Sequence, residues 1–453
     1  MKIIIAGLGK VGERLCAQLS SEGHEITVID QNAAKLEIVV SRYDVMGLCG
    51  NCAMMSVLSE AGIKEADVLI VTTAADEVNL LCCTTAHYLN PDIHTIVRIR
   101  NPEYSEQIYE MKNSFALSFA INPELQTAEE IDRLLKYPGF LRRDVFAKSR
   151  VEIVELKIPD SGVLCGLSLN ELSSVVKCQI LVCAVVRDGK TLIPGGDFIF
   201  QPGDYIFVTG LPHELTALLK ALGVITRKVK RVLLCGGGRI SYYLARKLEK
   251  NGIFVKIIEQ DRERCHDLSE LLPETEIVCG DASYQPLLES EGLRDYDALV
   301  TLTGTDELNI IISLYGKDVG VQQVITKVGH TDNSHLLESL SLGSVISPKE
   351  LCTASIVRYI RAMQNGEGAA ITVHSIAHGQ AEALEFKVDE QTLHCGCPLK
   401  DVPTRSNVLI AGITHGRDTV IPDGQSRFVR GDSVVVVTDG SRSIHQLNDI
   451  FEK

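Results

Sequence analysis

Six residues near the start of the chain have the types and spacing to hold a phosphate: Gly7-Leu8-Gly9-Lys10-Val11-Gly12. They follow the apolar run 2–6 and open an amphipathic stretch in which Val11, Leu15 and Leu19 recur at helical spacing. In a strand–turn–helix of this kind the first glycine allows a tight turn. The second lets backbone approach a pyrophosphate, and the third lets the helix pack close to the strand. The helix start then offers free N–H groups and the positive end of its dipole. Asp30 ends the next apolar run, 25–30, at the distance where an acid meets ribose hydroxyls and repels a 2′-phosphate, which favours NAD over NADP.

The constellation has an echo. An offset of 229 carries Gly7 onto Gly236, Gly9 onto Gly238, Lys10 onto Arg239 and Asp30 onto Glu259. Ser241 stands where the third glycine, Gly12, stands in the first copy, so this copy reads either as a second nucleotide site or as retained scaffold. At an offset of 230, Gly50-Asn51 falls on Gly280-Asp281, and Asp76-Glu77 with Asn79 on Asp306-Glu307 with Asn309. Leu164-Cys165-Gly166 pairs with His394-Cys395-Gly396, and Gly203-Asp204 with Gly431-Asp432. The chain is a tandem duplication with halves of about 225 residues.

Further groups sit at expected strand ends, where ligands of parallel sheets bind. Asn51 and Asp281 are placed to reach a base or ribose, or to serve as turn residues. Thr72, Thr73 and Thr303 end the fourth strand, facing ligand or capping the next helix. Arg98 and Lys327 near the end of the fifth strand suit phosphate charge or a surface ion pair. Glu124 opens a helix behind Asn122-Pro123, where an acid also complements the helix dipole.

The elements that position these groups follow from pattern. Apolar runs at 2–6, 25–30, 45–49, 67–72, 94–99 and 115–119 alternate with helix-length amphipathic stretches, which implies βαβ units and a parallel sheet buried on both faces. A helix is expected over 124–136, and Tyr137-Pro138-Gly139 signals a turn and a boundary. From 151 to 210 the runs become β-like, with a turn at Pro202-Gly203-Asp204 and a closing helix over 212–221. The expected class is α/β: a tandem duplication of a Rossmann-like, doubly wound parallel-sheet lobe followed by a small α+β lobe. The expected lobes are 1–136, 145–225, 230–365 and 370–453.

Composition bounds the function. The 453 residues suffice for about three domains. Lys and Arg total 45 against 59 Asp and Glu, a net charge of −14, which argues against nucleic acid and against adhesion to an anionic lipid leaflet. The longest apolar stretch, Ile180 to Val186, is far short of the roughly 20 residues that span a bilayer. Fourteen cysteines in a chain of this length read as reduced thiols of a cytoplasmic protein. Cys49-Gly50-Asn51-Cys52 has redox spacing, but its counterpart Cys279-Gly280-Asp281-Ala282 has lost the second cysteine. His394-Cys395-Gly396-Cys397 lacks a second ligand cluster, so no metal is expected. His87, His94 and His330 are isolated, and no acid–base constellation stands beside the glycine turns. A regulatory rather than catalytic role is expected, with an NAD-dependent oxidoreductase as the alternative.

A Rossmann half opening with IIIAGLGKVG, then a small β-rich module carrying Pro202-Gly203-Asp204, the whole repeated, resembles the family of cytosolic regulatory subunits of bacterial Trk potassium-uptake systems. In that family each half is an RCK (KTN) domain. The resemblance covers essentially the whole chain. It implies binding of NAD(H) or of ATP and ADP, and a homotetrameric gating ring beneath a membrane potassium channel or transporter of the TrkH/TrkG type. It also implies a cytoplasmic protein held at the inner face of the membrane by that partner, without insertion of its own. The family's nucleotide contacts fall on Gly7, Gly9, Lys10, Val11, Asp30, Asn51, Thr73 and Arg98, and on Gly236, Gly238, Arg239, Glu259 and Asp281. Ser241 departs from the family's glycine pattern.

Overall fold

In a computed structural model the described residues are 1–111, 114–136, 140–146, 151–159, 163–176, 178–222, 228–329, 340, 342–364, 370–377, 380–439, 444 and 446–452. The turn expected at Tyr137-Pro138-Gly139 and the isolated His330 lie outside them.

The first sheet is built from β1 (Lys2–Ala6), β2 (Glu25–Asp30), β3 (Met46–Cys49), β4 (Val68–Val71), β5 (His94–Arg98) and β6 (Phe119–Ile121). All pair in parallel, in the order β3-β2-β1-β4-β5-β6. The order reverses beside β1, which opens a crevice at the carboxyl ends of β1 and β4. β1 and β4 are runs of Ile, Leu, Val and Ala because both faces of these central strands are covered. The helices in this region are α1 (Lys10–Ser21), α2 (Ala33–Arg42), α3 (Met55–Glu60), α4 (Asp76–Leu89), α5 (Pro102–Glu110) and α6 (Pro123–Lys136). α1 buries Val11, Leu15 and Leu19 on one stripe, each leucine contributing about 1.5–3 kcal/mol. It stops where Gly23 takes a left-handed φ of 78° and donates its N–H to Ser20 O at 3.0 Å.

The sixth strand differs from expectation. The apolar run 115–119 enters the sheet only at Phe119. Ala116 has φ 52°, and its carbonyl accepts the Thr95 hydroxyl, so Phe115 and Leu117 reach the core from a turn.

Two small lobes are antiparallel. One holds β7 (Arg142–Phe146), β8 (Val151–Lys157), β9 (Ile180–Arg187), β10 (Lys190–Leu192) and β11 (Tyr205–Gly210), ordered β10-β9-β11-β8-β7, with α7 (Leu169–Val175) and α8 (Pro212–Ala221). Between them in sequence the parallel sheet recurs as β12 (Arg231–Cys235), β13 (Phe254–Glu259), β14 (Glu276–Cys279), β15 (Ala298–Thr301), β16 (Gln323–Lys327) and β17 (Ser344–Ile346), in the order β14-β13-β12-β15-β16-β17. Its helices are α9 (Arg239–Lys250), α10 (Arg262–Leu271), α11 (Gln285–Ser290), α12 (Asp306–Asp318) and α13 (Pro348–Gln364). The last sheet joins β18 (Thr372–Ile376), β19 (Ala381–Lys387), β20 (Val408–His415), β21 (Asp418–Val420) and β22 (Ser433–Thr438), ordered β18-β19-β22-β20-β21. Even irregularities repeat: a bulge lies between β9 and β11, and another between β20 and β22.

Two compact units emerge from the contacts, one of residues 1–130, 238–244 and 347–359, the other of 131–237, 245–346 and 360–453. Within the second, both small lobes share one buried cluster that includes Phe146, Val151, Ile153 and Phe207 with Ile376, Ala383, Val435 and Val437. Asp144 of β7 meets His374 of β18 across it, with Oδ1 3.0 Å from Nδ1, and the Phe146 ring stands edge-on to the imidazole at 4.7 Å. These two positions correspond to each other in the repeat.

The Pro202-Gly203-Asp204 turn carries a buried carboxylate. Asp204, 1% exposed, accepts Arg187 Nε at 2.8 Å, Arg187 Nη2 at 2.7 Å and Gln201 N at 2.8 Å. Those charge-assisted bonds hold the hairpin ends of β9 and β11 together and raise the Arg187 pKa, the side-chain hydrogen bond to Asp204 being the largest cause. In the repeat, Asp432 accepts Val429 N at 2.6 Å and stands 2.8 Å from His415 Nδ1. Replacing Asp204 by Ala is expected to destabilise the fold by about 2–3 kcal/mol, the worth of charged hydrogen bonds. Urea unfolding followed by circular dichroism measures it; a loss below 0.5 kcal/mol, roughly the spread of ordinary surface changes, contradicts the assignment.

Candidate nucleotide sites

Each glycine turn is held by the acid at the end of the neighbouring strand. Asp30 Oδ2 accepts Leu8 N at 2.6 Å, and Oδ1 accepts Asn32 N at 2.8 Å. Glu259 does the same in the repeat, accepting Gly237 N at 2.5 Å and Asp261 N at 2.9 Å. A carboxylate oxygen accepts more than one hydrogen bond, so both acids retain acceptor capacity.

The glycines occupy positions that demand them. Gly7 has φ 95°, and a Cβ there would lie 2.9 Å from Thr73 N. A Cβ on Gly12 would sit 2.0 Å from Gly7 O. Among the described residues nothing lies within 4 Å of the corresponding point on Gly9, and no side chain caps α1. The turn is thus tight against the fold at Gly7 and Gly12 and open over Gly9 and Lys10, as a backbone cradle for an anion requires. Lys10 is exposed beside it. In the second copy Gly236 has φ 105°, Gly238 again faces open space, and Arg239 begins α9. Ser241 is fully buried there.

The strand-end threonines serve the framework. Thr72 Oγ1 donates to Gly7 O at 3.0 Å and braces the turn. Thr73 donates both its N–H (3.0 Å) and its hydroxyl (2.5 Å) to Asn79 Oδ1. Thr303 bonds Asn309 in the same way, at 2.9 and 2.8 Å. Asn79 and Asn309, both 0% exposed, then donate to Arg98 O and Lys327 O, tying β4 to β5 and β15 to β16. Neither asparagine was assigned a role from the sequence, although their recurrence at the same offset marked them. Asn51 Oδ1 accepts Ala53 N, and Asp281 Oδ1 accepts Ser283 N and Oγ, which lowers the Asp281 pKa, the backbone bond most.

Arg98 donates Nη2 to Thr73 O at 2.6 Å, while its buried Nε has no partner among the described residues. Burial, then neighbouring Arg100, pulls its pKa down. Lys327 makes the equivalent bond, Nζ to Thr303 O at 2.6 Å. Asp76 accepts Arg100 N and Asn101 N, and Glu124 accepts Arg100 Nε at 2.6 Å. Asp76 Oδ1 and Glu124 Oε2 are buried without partners among the described residues. The first crevice therefore gathers Gly7, Gly9, Asp30, Thr72, Thr73 and Arg98 at adjoining strand ends, with Asn51 at the end of β3.

The discounted motifs are used locally. Cys52 is buried and receives the Cys82 thiol at its carbonyl, whereas Cys49 is exposed. His394 has φ 58° and rests its ring edge on Phe451, and Cys395 Sγ donates to Thr392 O.

The sequence profile of the TrkA-N domain matches residues 3–119 and 232–348, and that of the TrkA-C domain matches 153–223. The chain belongs to the TrkA family. The Trk system potassium uptake protein TrkA of Haemophilus influenzae is 30% identical over 461 residues, covering 100% of this chain and 99% of that protein. A TrkA homolog of Archaeoglobus fulgidus is 30% identical over 452 residues, covering 100% of both. Such TrkA relatives are named as potassium uptake proteins, not as enzymes. Among solved structures, the RCK domain of GsuK superposes with a TM-score of 0.61 at 15% identity, covering 96% of this chain and 92% of that one. The GsuK channel bound to NAD gives 0.60 at 15% identity, covering 96% and 76%. GsuK bound to ADP gives 0.51 at 13% identity, covering 80% and 69%. At these identities the likeness is one of fold: tandem RCK units with Rossmann-like lobes.

The steric difference between the two TrkA-N lobes is testable. Gly12→Ala is expected to lose about 3 kcal/mol, because backbone oxygen cannot retreat from the new methyl group. Ser241→Gly, at the matching position, is expected to cost about 1 kcal/mol, the helix penalty of glycine. Calorimetric unfolding of both variants makes the comparison; equal losses would show that the third position is equivalent in the two copies.

Proposed function

We propose that this TrkA-family chain is a nucleotide-responsive regulatory subunit of a Trk-type potassium uptake system. In this reading it binds NAD(H), ATP or ADP in its Rossmann-like lobes and gates a membrane potassium channel or transporter of the TrkH/TrkG type. The observation that carries it is the hold of Asp30 and Glu259 on the two glycine turns, which presents an acid and a row of backbone N–H groups to one crevice in each lobe. A bound dinucleotide or adenine nucleotide would supply ribose hydroxyls and phosphate charge, and no redox step is needed for signalling.

The residues divide the work. Asp30 and Glu259 accept the ribose hydroxyls and, by charge, disfavour a 2′-phosphate. Gly7, Gly9, Lys10 and Val11, with Gly12 behind them, receive phosphate oxygens at the helix start, as Gly236, Gly238 and Arg239 do in the repeat. Arg98 carries a charge at the end of β5 whose buried Nε has no partner among the described residues, and an anion would neutralise it. Asn51 and Asp281 border the base end, and Thr72, Thr73 and Thr303 fix the walls. NAD and ADP in the GsuK structures support both ligand types for a fold of this kind.

No helix of the described residues is long and apolar enough to cross a membrane. With net charge −14, this supports a subunit brought to the inner face of the membrane by its protein partner, and a homotetrameric ring is the assembly we propose. Regulation is a population shift. A nucleotide with a hundredfold preference for one packing of the ring contributes about 2.7 kcal/mol per site, so several sites acting together move the pore equilibrium decisively.

Calorimetric titration of the full-length protein with NADH, NAD, ATP and ADP tests the binding sites. Asp30→Ala is expected to weaken ligand at the first lobe ten- to a hundredfold, and Glu259→Ala at the second, the loss of charged hydrogen bonds. Absence of binding to the unsubstituted protein overturns the reading. Potassium flux through the reconstituted partner should respond to saturating nucleotide and lose that response in the doubly substituted protein.

A further inference from the structure

Two thiols meet at the strand end that carries the second acid. β13 and β14 pair with Glu259 beside Cys279. Cys265, on the first turn of α10, donates Sγ to Glu259 O at 3.2 Å, and the N–H of Gly280, the residue after Cys279, donates to the same oxygen at 2.9 Å. Their environments are opposite. Cys265 is 8% exposed, and burial, then Cys279, pushes its thiol up to about 11. Cys279 is exposed and precedes Gly280, the first residue lining an open hollow of about 540 Å³ with Asp281, Tyr284 and Leu287. An exposed thiol with a buried one beside it is the arrangement in which one sulfur is oxidised and the other resolves it.

The first lobe provides its own contrast. Cys279 corresponds to Cys49 at an offset of 230, and Cys49 is also exposed, but Cys265 corresponds at the offset of 229 shared by Asp30 and Glu259 to Leu36, which is buried in the same way on its helix. Cys49 Sγ lies 3.7 Å from Gln31 O, and Cys52, three residues on, is buried with its carbonyl taken by the Cys82 thiol.

We propose that Cys279 and Cys265 form a peroxide-reactive dithiol site in the second lobe, closing to a reversible disulfide. The Cys279 thiolate attacks one oxygen of hydrogen peroxide or an alkyl hydroperoxide. The O–O bond breaks, the distal oxygen leaves as water or alcohol after taking a proton, and Cys279 becomes a sulfenic acid. Cys265 sulfur then attacks the Cys279 sulfur, the S–O bond breaks, and hydroxide leaves as water with the Cys265 proton. The two thiols have lost two electrons and the peroxide has gained them.

The site adjoins the nucleotide machinery. Arg264, next to Cys265, donates Nε to Gly237 O at 2.8 Å, and Glu259 holds Gly237 N. Drawing Cys265 onto Cys279 displaces its sulfur from Glu259 O and pulls on that turn. Loss of nucleotide affinity on oxidation therefore rests on the reading of the second lobe given above, whereas disulfide formation does not.

The full chain is reduced, treated with hydrogen peroxide in the presence or absence of dimedone, alkylated and mapped by peptide mass. A Cys265–Cys279 linkage that dithiothreitol reverses is expected, with Cys49 trapped instead as a dimedone adduct. In Cys265→Ser, Cys279 should join Cys49 as a dimedone adduct. The proposal is overturned if Cys279 stops at sulfenic or sulfinic acid in the unsubstituted chain while Cys265 stays alkylatable, or if Cys279 pairs with another cysteine. ATP titration of reduced and oxidised protein separates the second claim: at least a tenfold loss of affinity is expected, absent in Cys265→Ser. An unchanged affinity with the disulfide formed overturns the coupling alone. Reduced protein that binds no nucleotide overturns the reading of the lobe and leaves the dithiol standing.

Discussion

A carboxylate reaching from the end of one strand to the backbone of the neighbouring turn organises each half of this molecule. Asp30 fixes Leu8 N and Asn32 N, and Glu259 fixes Gly237 N and Asp261 N, so two loops are set by one side chain. The turn can then keep glycines where Cβ atoms would collide and leave the helix start uncapped. Such a loop needs few internal hydrogen bonds, because its conformation is enforced from outside. The second tie, Asn79 or Asn309 between fourth and fifth strands, holds the opposite wall of the crevice.

The two lobes share this frame but differ in what surrounds it. The first gathers two arginines and two acids, with Arg98 partly desolvated and Arg100 bound to Glu124. The second has Lys327 in place of Arg98 and Gly329 N on Asp306 in place of Arg100 N on Asp76. A planar guanidinium and a flexible ammonium recognise phosphate differently. Equal frames with unequal charges are what two sites of different preference need.

Much of this was legible in the sequence, because repetition and periodicity are properties of residue order. The parallel strands, glycine turns, acids and tandem plan follow from the positions of apolar residues and glycines. The run 115–119 misled because Phe115 and Leu117 are as apolar as strand residues, and only the backbone at Ala116 shows that they enter the core from a turn. The Arg187–Asp204 contact and the placing of Cys265 and Cys279 at one strand end were hidden for a different reason. Their members lie in separate elements, and sheet register or helix docking brings them together. Thr72, Thr73 and Thr303 were visible as candidates, but their bonds to Gly7, Asn79 and Asn309 need coordinates.

Joining two copies in one chain has a consequence at the small lobes. Where identical subunits meet about a two-fold axis, a residue on that axis faces itself, so an aspartate at the position of Asp144 would confront another aspartate. Here the matching position in the repeat is His374, and the contact is between unlike partners. Covalent linkage has freed each side of the interface to mutate alone. It has also made the pairing unimolecular, so the stoichiometry of the two halves does not depend on how much protein the cell makes.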